Sequence, residues 1–337
     1  MVSFVVVGCG RISEIHLKAI EKAKNARLAA VCDIVEEKAK EKALLYNVPY
    51  YTDLEEMLKK EKPDVAIIGT PSGMHGEHTI KCAGHGAHVL CEKPIEITRE
   101  KIDSMINVCR EKGVLLGGIY QRRTYSGAIA AKKAIEDGQI GKLILCDGYF
   151  KYHRSQEYYD SDSWRGTWSL DGGGALMNQC IHGIDMLLML CGDIMSVTAK
   201  CETLARSIEV EDTAVILVKY KNGALGVIEA ATSLSEGSDT IFEIHGAQGN
   251  ISFGDSCFYK WQTINNSPMP CVTDSMGGKN CGWAEEDGHR ILVEDMAQCV
   301  LTGKSPLIPP EEARRAVDVI LAIYQSAKTG KEAFIND

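Results

Sequence analysis

Three groups of residues in this 337-residue chain have types and spacings that can do chemistry. The first is Gly8-Cys9-Gly10-Arg11-Ile12-Ser13, which reads G-x-G-x-x-S. Gly8 permits a tight turn, and Gly10 lets the main chain approach a pyrophosphate. A helix opening at Arg11, Ile12 and Ser13 would point free N–H groups at that anion. Ser13 stands in the third glycine position and is small enough for helix–strand packing. Asp33 then falls where an acid accepts hydrogen bonds from an adenosine ribose. A 2′-phosphate would meet that carboxylate, and the next residue is Ile34 rather than arginine, so NAD is expected over NADP.

The second group is Glu92-Lys93-Pro94, directly after the apolar run HVLC. A lysine at the end of such a strand can position or polarise a substrate hydroxyl, with a pKa tuned by burial. Thr70, Pro71 and His75 follow another strand and are expected to flank the same cofactor, together with Glu92 and Lys93. The third group runs from Asp171-Gly172-Gly173-Gly174 through Asn178 and His182 to Asp185. Asn178 and His182, four apart, share one helix face. His182 can exchange a proton near neutral pH, and Asn178 can orient a hydroxyl but cannot titrate.

Upstream, residues 149–168 gather Tyr149, Phe150, Tyr152, Tyr158, Tyr159, Trp164 and Trp168 around Arg154 and Arg165. Such a segment suits a polyhydroxylated ligand, with Tyr152 and Trp164 against ring faces and Arg165 on an anionic group. His75, His78, Cys82 and His85 have helical spacings of three and four, the most metal-like cluster in the chain, but are read as solvated helix residues with no metal expected.

The elements that must carry these groups are legible as two patterns. In the first half, short β-branched runs (3–8, 27–32, 64–69, 86–91, 113–118) alternate with amphipathic stretches (12–23, 34–45, 53–60, 74–84, 98–112). That alternation predicts an α/β domain, a doubly wound parallel sheet of Rossmann type, over residues 1–120. Beyond it, strand-like runs at 143–153, 196–203, 213–220, 224–232 and 240–246 follow one another with one helix, 173–191, between them. Lys221-Asn222-Gly223 reads as a hairpin turn. Residues 121–337 are therefore expected to form a second α/β domain with a large open, mostly antiparallel sheet, used for substrate binding and oligomerisation. Helices are expected at 124–137, 287–302 and 310–328, the last opened by Pro309-Pro310 and packing back on the first domain.

Composition narrows the classes. With 37 Lys and Arg against 46 Asp and Glu, the formal charge is −9, and no basic patch for a nucleic-acid polymer is indicated. No apolar run is long enough for a membrane helix. The 13 cysteines include no CxxC and lie largely in apolar runs, which points to reduced, buried thiols and a cytoplasmic location. The N-terminus carries no signal-peptide pattern. Cys9, Cys91 and Cys180 sit beside expected site residues, so thiol modification is expected to impair function if they are accessible.

Taken together, GCGRIS, Asp33, TPSGMH, EKP at 92–94, the GGG…N…H…D run at 172–185 and the C-terminal stretch GKSPLIPPEEARRAVDVILAIYQSAKTG resemble the glucose–fructose oxidoreductase/inositol dehydrogenase/MocA family. The resemblance implies a Rossmann domain followed by an α/β domain with an open sheet, and an NAD(P)-dependent oxidoreductase of sugars, cyclitols or nucleotide sugars, as a homodimer or homotetramer. It maps the family's catalytic lysine to Lys93 and its catalytic histidine to His182. Many relatives carry Asp four residues before that histidine, where this chain has Asn178, so a carboxylate relay through that position is not expected. An NADP-dependent or ketone-reducing enzyme, or a non-catalytic nucleotide-binding sensor, stays open on the residues alone.

Overall fold

The structure, a computed structural model, describes residues 1–238, 240–255, 257–272 and 286–335. The chain divides into two compact units, one of Met1–Gln121 with Glu285–Arg314, the other of Arg122–Ala284 with Arg315–Asp337.

In the first unit, β1 (Val2–Val7), β2 (Ala26–Cys32), β3 (Tyr50–Tyr51), β4 (Val65–Ile68), β5 (His88–Cys91) and β6 (Leu116–Gly118) form a parallel sheet in the order β3-β2-β1-β4-β5-β6. β1 and β4 are buried on both faces, which is why they read as unbroken Val and Ile runs rather than as alternation. The crossovers are helical: α1 (Ser13–Lys22), α2 (Glu36–Tyr46), α3 (Leu54–Glu61), α4 (His75–Gly84) and α5 (Arg99–Lys112). Asp53 and Thr98 cap α3 and α5, each accepting a main-chain N–H three residues on.

The second unit begins with α6 (Ser126–Glu136) and β7 (Leu143–Lys151), then the short α7 (Gln156–Asp160). A π-helical turn, Ala175–Cys180, runs directly into α8 (Ile181–Cys191). Strands β8 (Ile194–Glu202), β9 (Thr213–Tyr220), β10 (Leu225–Ala231), β11 (Ile241–Gly246), β12 (Asn250–Gly254) and β13 (Phe258–Gln262) follow. With a C-terminal β14 (Ala333–Phe334) they make an eight-stranded sheet in the order β13-β12-β11-β7-β10-β9-β8-β14. Only β7 and β10 pair in parallel, and every other neighbour is antiparallel. β9 alternates buried and exposed side chains, so one face of the sheet rests on α8 and the other is open.

Two helices close the chain, α9 (Asp287–Thr302) and α10 (Pro310–Thr329). The sequence groups 287–302 with the second half of the chain. In the structure α9 packs on α1, β1, β2 and β5 and belongs to the first unit. The division between the units falls within α10, after Arg314. The sequence also treats 173–191 as one α-helix, whereas Gly173 and Gly174 lie outside the helix and its first six residues are wound as a π-turn. Such turns gather at functional sites because they re-aim side chains within a helix.

Candidate active site

In the first unit the expected cofactor residues come together at the C-terminal edge of the sheet. Gly8 ends β1 with φ +97, and a Cβ there would lie 2.6 Å from the Gly69 carbonyl, so the turn requires glycine. The Cys9 N–H donates to Asp33 Oδ2 at 2.7 Å, which draws the glycine turn against the end of β2. Asp33 Oδ1 accepts the Val35 N–H at 2.8 Å, so the carboxylate is fixed at both oxygens. Ser13 is fully buried and donates to the Gly10 carbonyl at 2.6 Å. Ile12 is the N-cap of α1, whose first N–H groups receive no side-chain cap. Nothing lies within 4 Å of the Cβ position of Gly10. An uncapped helix N-terminus behind open space, with an acid fixed at its flank, fits a dinucleotide whose pyrophosphate lies on the helix end. Arg11 is exposed beside it.

The Thr70 loop reaches the same edge, its main chain 3.0 Å from the Gly8 Cβ position. His75 is buried, with Nε2 2.9 Å from the Thr70 carbonyl and Nδ1 2.8 Å from that of Pro94. Both ring nitrogens are engaged by main chain, so His75 braces the Thr70-Pro71 loop against the Glu92-Lys93-Pro94 turn. Lys93 is half-buried and precedes a cis proline. The other histidines nearby separate, His78 of α4 going to Thr70 Oγ1 and His85, just past the helix, to Glu55.

In the second unit the glycine run feeds a polar cluster. Asn178, on the π-turn, donates from Nδ2 to Asp171 Oδ1 at 2.7 Å and accepts at Oδ1 from Gln179 Nε2 at 2.8 Å. Asp171 is 1% exposed, and its second oxygen accepts the Gly166 N–H at 2.9 Å. A carboxylate thus stands beside Asn178 after all, supplied seven positions upstream. Its signal in the sequence is the acid that opens the glycine run. His182, one turn on in α8, is buried. Asp185 holds Arg123 through two bonds of 2.8 and 2.6 Å.

The aromatic segment is wired to Asn178. Arg165 donates to the Tyr158 hydroxyl at 2.6 Å and to Asp162 at 3.1 Å, and stacks on Tyr158 and on Trp164. Gln179 Nε2 reaches the same hydroxyl at 3.3 Å, and its Oε1 accepts from Arg154 at 2.6 Å. Tyr152 stands apart, its hydroxyl on Thr240 and its pKa raised by burial.

Sequence reasoning did not single out Glu211. Its side chain accepts the N–H groups of Gly174 (3.1 Å) and Leu176 (2.9 Å) and the Tyr324 hydroxyl (3.0 Å), anchoring the start of the π-turn. Burial, partly offset by those donors, raises its pKa to about 7. Cys9, Cys91 and Cys180 are buried, and burial raises each thiol, Cys9 to about 12. The accessibility on which thiol sensitivity at these three depends is therefore absent.

The family model described as "Oxidoreductase family, NAD-binding Rossmann fold" matches residues 2–120, and that of the "GFO/IDH/MocA C-terminal domain" matches 128–252. The myo-inositol 2-dehydrogenase of Thermotoga maritima is 30% identical over 97% of this chain and 96% of its own. The chain belongs to the GFO/IDH/MocA oxidoreductase family. As in the rest of this family, its N-terminal unit is of the NAD-binding Rossmann type. The WlbA dehydrogenase of Bordetella pertussis, solved in complex with NADH and UDP-GlcNAcA, is 31% identical, with a TM-score of 0.89 over 100% of this chain and 99% of that one. The levoglucosan dehydrogenase of Pseudarthrobacter phenanthrenivorans is 29% identical over 57% of this chain, a match that spans 56% of the relative's length.

Proposed function

We propose that this chain is an NAD-dependent dehydrogenase that moves a hydride between a ring carbinol carbon of a sugar, cyclitol or nucleotide sugar and the nicotinamide. The observation that carries this reading is the uncapped α1 N-terminus with the Cys9–Asp33 hydrogen bond, in a chain that also retains Lys93 and His182. Bound NAD supplies the hydride acceptor. Gly8, Gly10, Ile12, Ser13 and Asp33 would hold it, with Thr70 and Pro71 flanking. His182 takes the hydroxyl proton, and Lys93 donates a hydrogen bond to the oxygen as it becomes a carbonyl. Asn178, its amide fixed by Asp171 and Gln179, positions the sugar. Asp171 supplies the carboxylate that orients this cluster. Arg165 and Trp164 bind the sugar beyond the reacting carbon, and named relatives acting on myo-inositol and levoglucosan or holding UDP-GlcNAcA support that class.

The same reading makes the protein a homo-oligomer that buries the open sheet face, and a cytoplasmic one. Buried thiols support the reducing compartment, and no described helix is long and apolar enough to cross a membrane.

The test is a screen of inositols, anhydrosugars and nucleotide sugars for NAD reduction, followed by variants. Lys93→Ala and His182→Ala should each lower kcat by ~10²–10⁴ while leaving the calorimetric affinity for NAD nearly unchanged. Full activity in either variant removes that residue from the mechanism. Tighter binding of NADP than of NAD would overturn the role of Asp33.

A further inference from the structure

Three buried side chains from separate stretches meet in the first unit: His16 of α1, Glu92 just after β5, and His289 of α9, at 1%, 5% and 3% exposure. Nε2 of His16 lies 2.9 Å from Glu92 Oε1, and Nε2 of His289 lies 3.6 Å from the same oxygen. The two rings are nearly perpendicular, with centroids 5.2 Å apart. The other oxygen, Oε2, accepts the main-chain N–H of Lys93 at 3.0 Å. One carboxylate therefore joins two imidazoles to the main chain of Lys93.

The charge state follows from the surroundings. Burial alone pushes the Glu92 carboxyl up, but the two histidines outweigh it and hold the group well below its ordinary range. Burial lowers the His16 pKa against the pull of Glu92. The titratable groups that face Glu92 are His16 from α1, His289 from α9 and, on its own strand, Cys91, whose thiol is kept neutral by burial. An ionised, buried carboxylate with neutral His16 beside it persists only while neighbouring polar groups support it.

We propose that His16 and His289 are positioning residues that clamp Glu92, which in turn fixes the main chain from which Lys93 projects. The proposal rests on the reading of Lys93 as a catalytic group. The three ligand atoms lie within 4.8 Å of one another, a spacing also open to a metal ion. Neither imidazole makes an aligned hydrogen bond to Oε1, so the contacts at 2.9 and 3.6 Å hold the carboxylate by close packing and electrostatic proximity.

The test is competitive acetylation of the full-length protein with acetic anhydride, read lysine by lysine by mass spectrometry, on wild type, His289→Leu, His289→Gln and Glu92→Gln. Loss of the clamp in His289→Leu should free the turn and raise Lys93 labelling about tenfold relative to Lys18 and Lys60. His289→Gln keeps a side-chain N–H and should restore protection. Glu92→Gln, which preserves shape, should behave like His289→Leu without loss of folding. A purely structural role predicts that Lys18, Lys60 and the other lysines respond together with Lys93, and that outcome overturns the proposal. So does an unchanged Lys93, or stoichiometric metal retained in the purified protein by elemental analysis. If Lys93 responds as expected yet Lys93→Ala keeps full activity, the clamp stands and the catalytic reading of Lys93 falls.

Discussion

At the scale of single residues, the second unit stores an unusual carboxyl. Glu211 has a folded pKa of about 7, against an unfolded value of about 4.3. The native state therefore binds this proton more tightly than the unfolded chain does. The resulting stability is fully present below about pH 4, declines as pH rises, and is gone once pH passes about 7. The difference corresponds to roughly 4 kcal/mol, because each pKa unit is worth about 1.4 kcal/mol. Glu211→Gln replaces a titrating group by a neutral one, at a fixed cost for the amide that now faces a main-chain donor. The expected outcome is a wild-type minus variant difference in Tm that falls steadily between about pH 5 and pH 7.5 and then levels off. A flat difference across that range would remove Glu211 as the source. Asp171 shows the same scale at work in the site. Asn178 cannot relay a proton alone, but a buried acid seven positions upstream fixes its amide.

The elements explain why two glycines of this chain behave oppositely. Gly174 leads into the π-turn, and a Cβ there would fall 1.8 Å from the Glu211 carbonyl oxygen and 2.9 Å from Val210. Main chain cannot yield as a side chain does, so Gly174→Ala must shift the turn that carries Asn178 and α8. A loss of about 3 kcal/mol or more, near 10 °C in Tm, is expected, together with loss of turnover. Gly10 faces open space at the uncapped end of α1. Gly10→Ala should leave the Tm of the cofactor-free protein unchanged while weakening NAD binding in calorimetry. If Gly10→Ala binds NAD like wild type, the cradle assigned to α1 is wrong. Several elements escaped the sequence for physical reasons. β12 and β13 mix Asn, Ser, Lys and Gln with aromatics and carry weak alternation, and α7 is one turn long. The π-turn has no distinct periodicity over six residues.

On the whole molecule, the open face of the eight-stranded sheet is the outstanding surface. Val215, Leu217, Leu225 and Leu145 are 52%, 59%, 55% and 40% exposed. Leu225 pairs with Leu145 on one side, and Val227 with Leu217 on the other, so the patch is continuous across β7, β10 and β9. Contiguous apolar surface of this kind marks an association site. Leu217→Asp is expected to convert the proposed homo-oligomer to monomer in light scattering coupled to size exclusion, with the fold intact by circular dichroism. A monomeric wild type would remove this face as the interface.

The sequence by itself determined the α/β class, the parallel first sheet and the open second one. It also placed the glycine turn and Asp33 at the C-terminal edge of the first sheet and singled out the Lys93 and His182 segments. These are local properties: side-chain periodicity, turn chemistry and short-range spacing are written in consecutive residues. Only the tertiary structure decided which unit α9 joins, that Asp171 stands beside Asn178, that Glu211 anchors the π-turn, and that His16 and His289 converge on Glu92. Each of these depends on packing between stretches far apart in the chain. An amphipathic helix carries its apolar face in its sequence, but not the identity of the surface that will cover it.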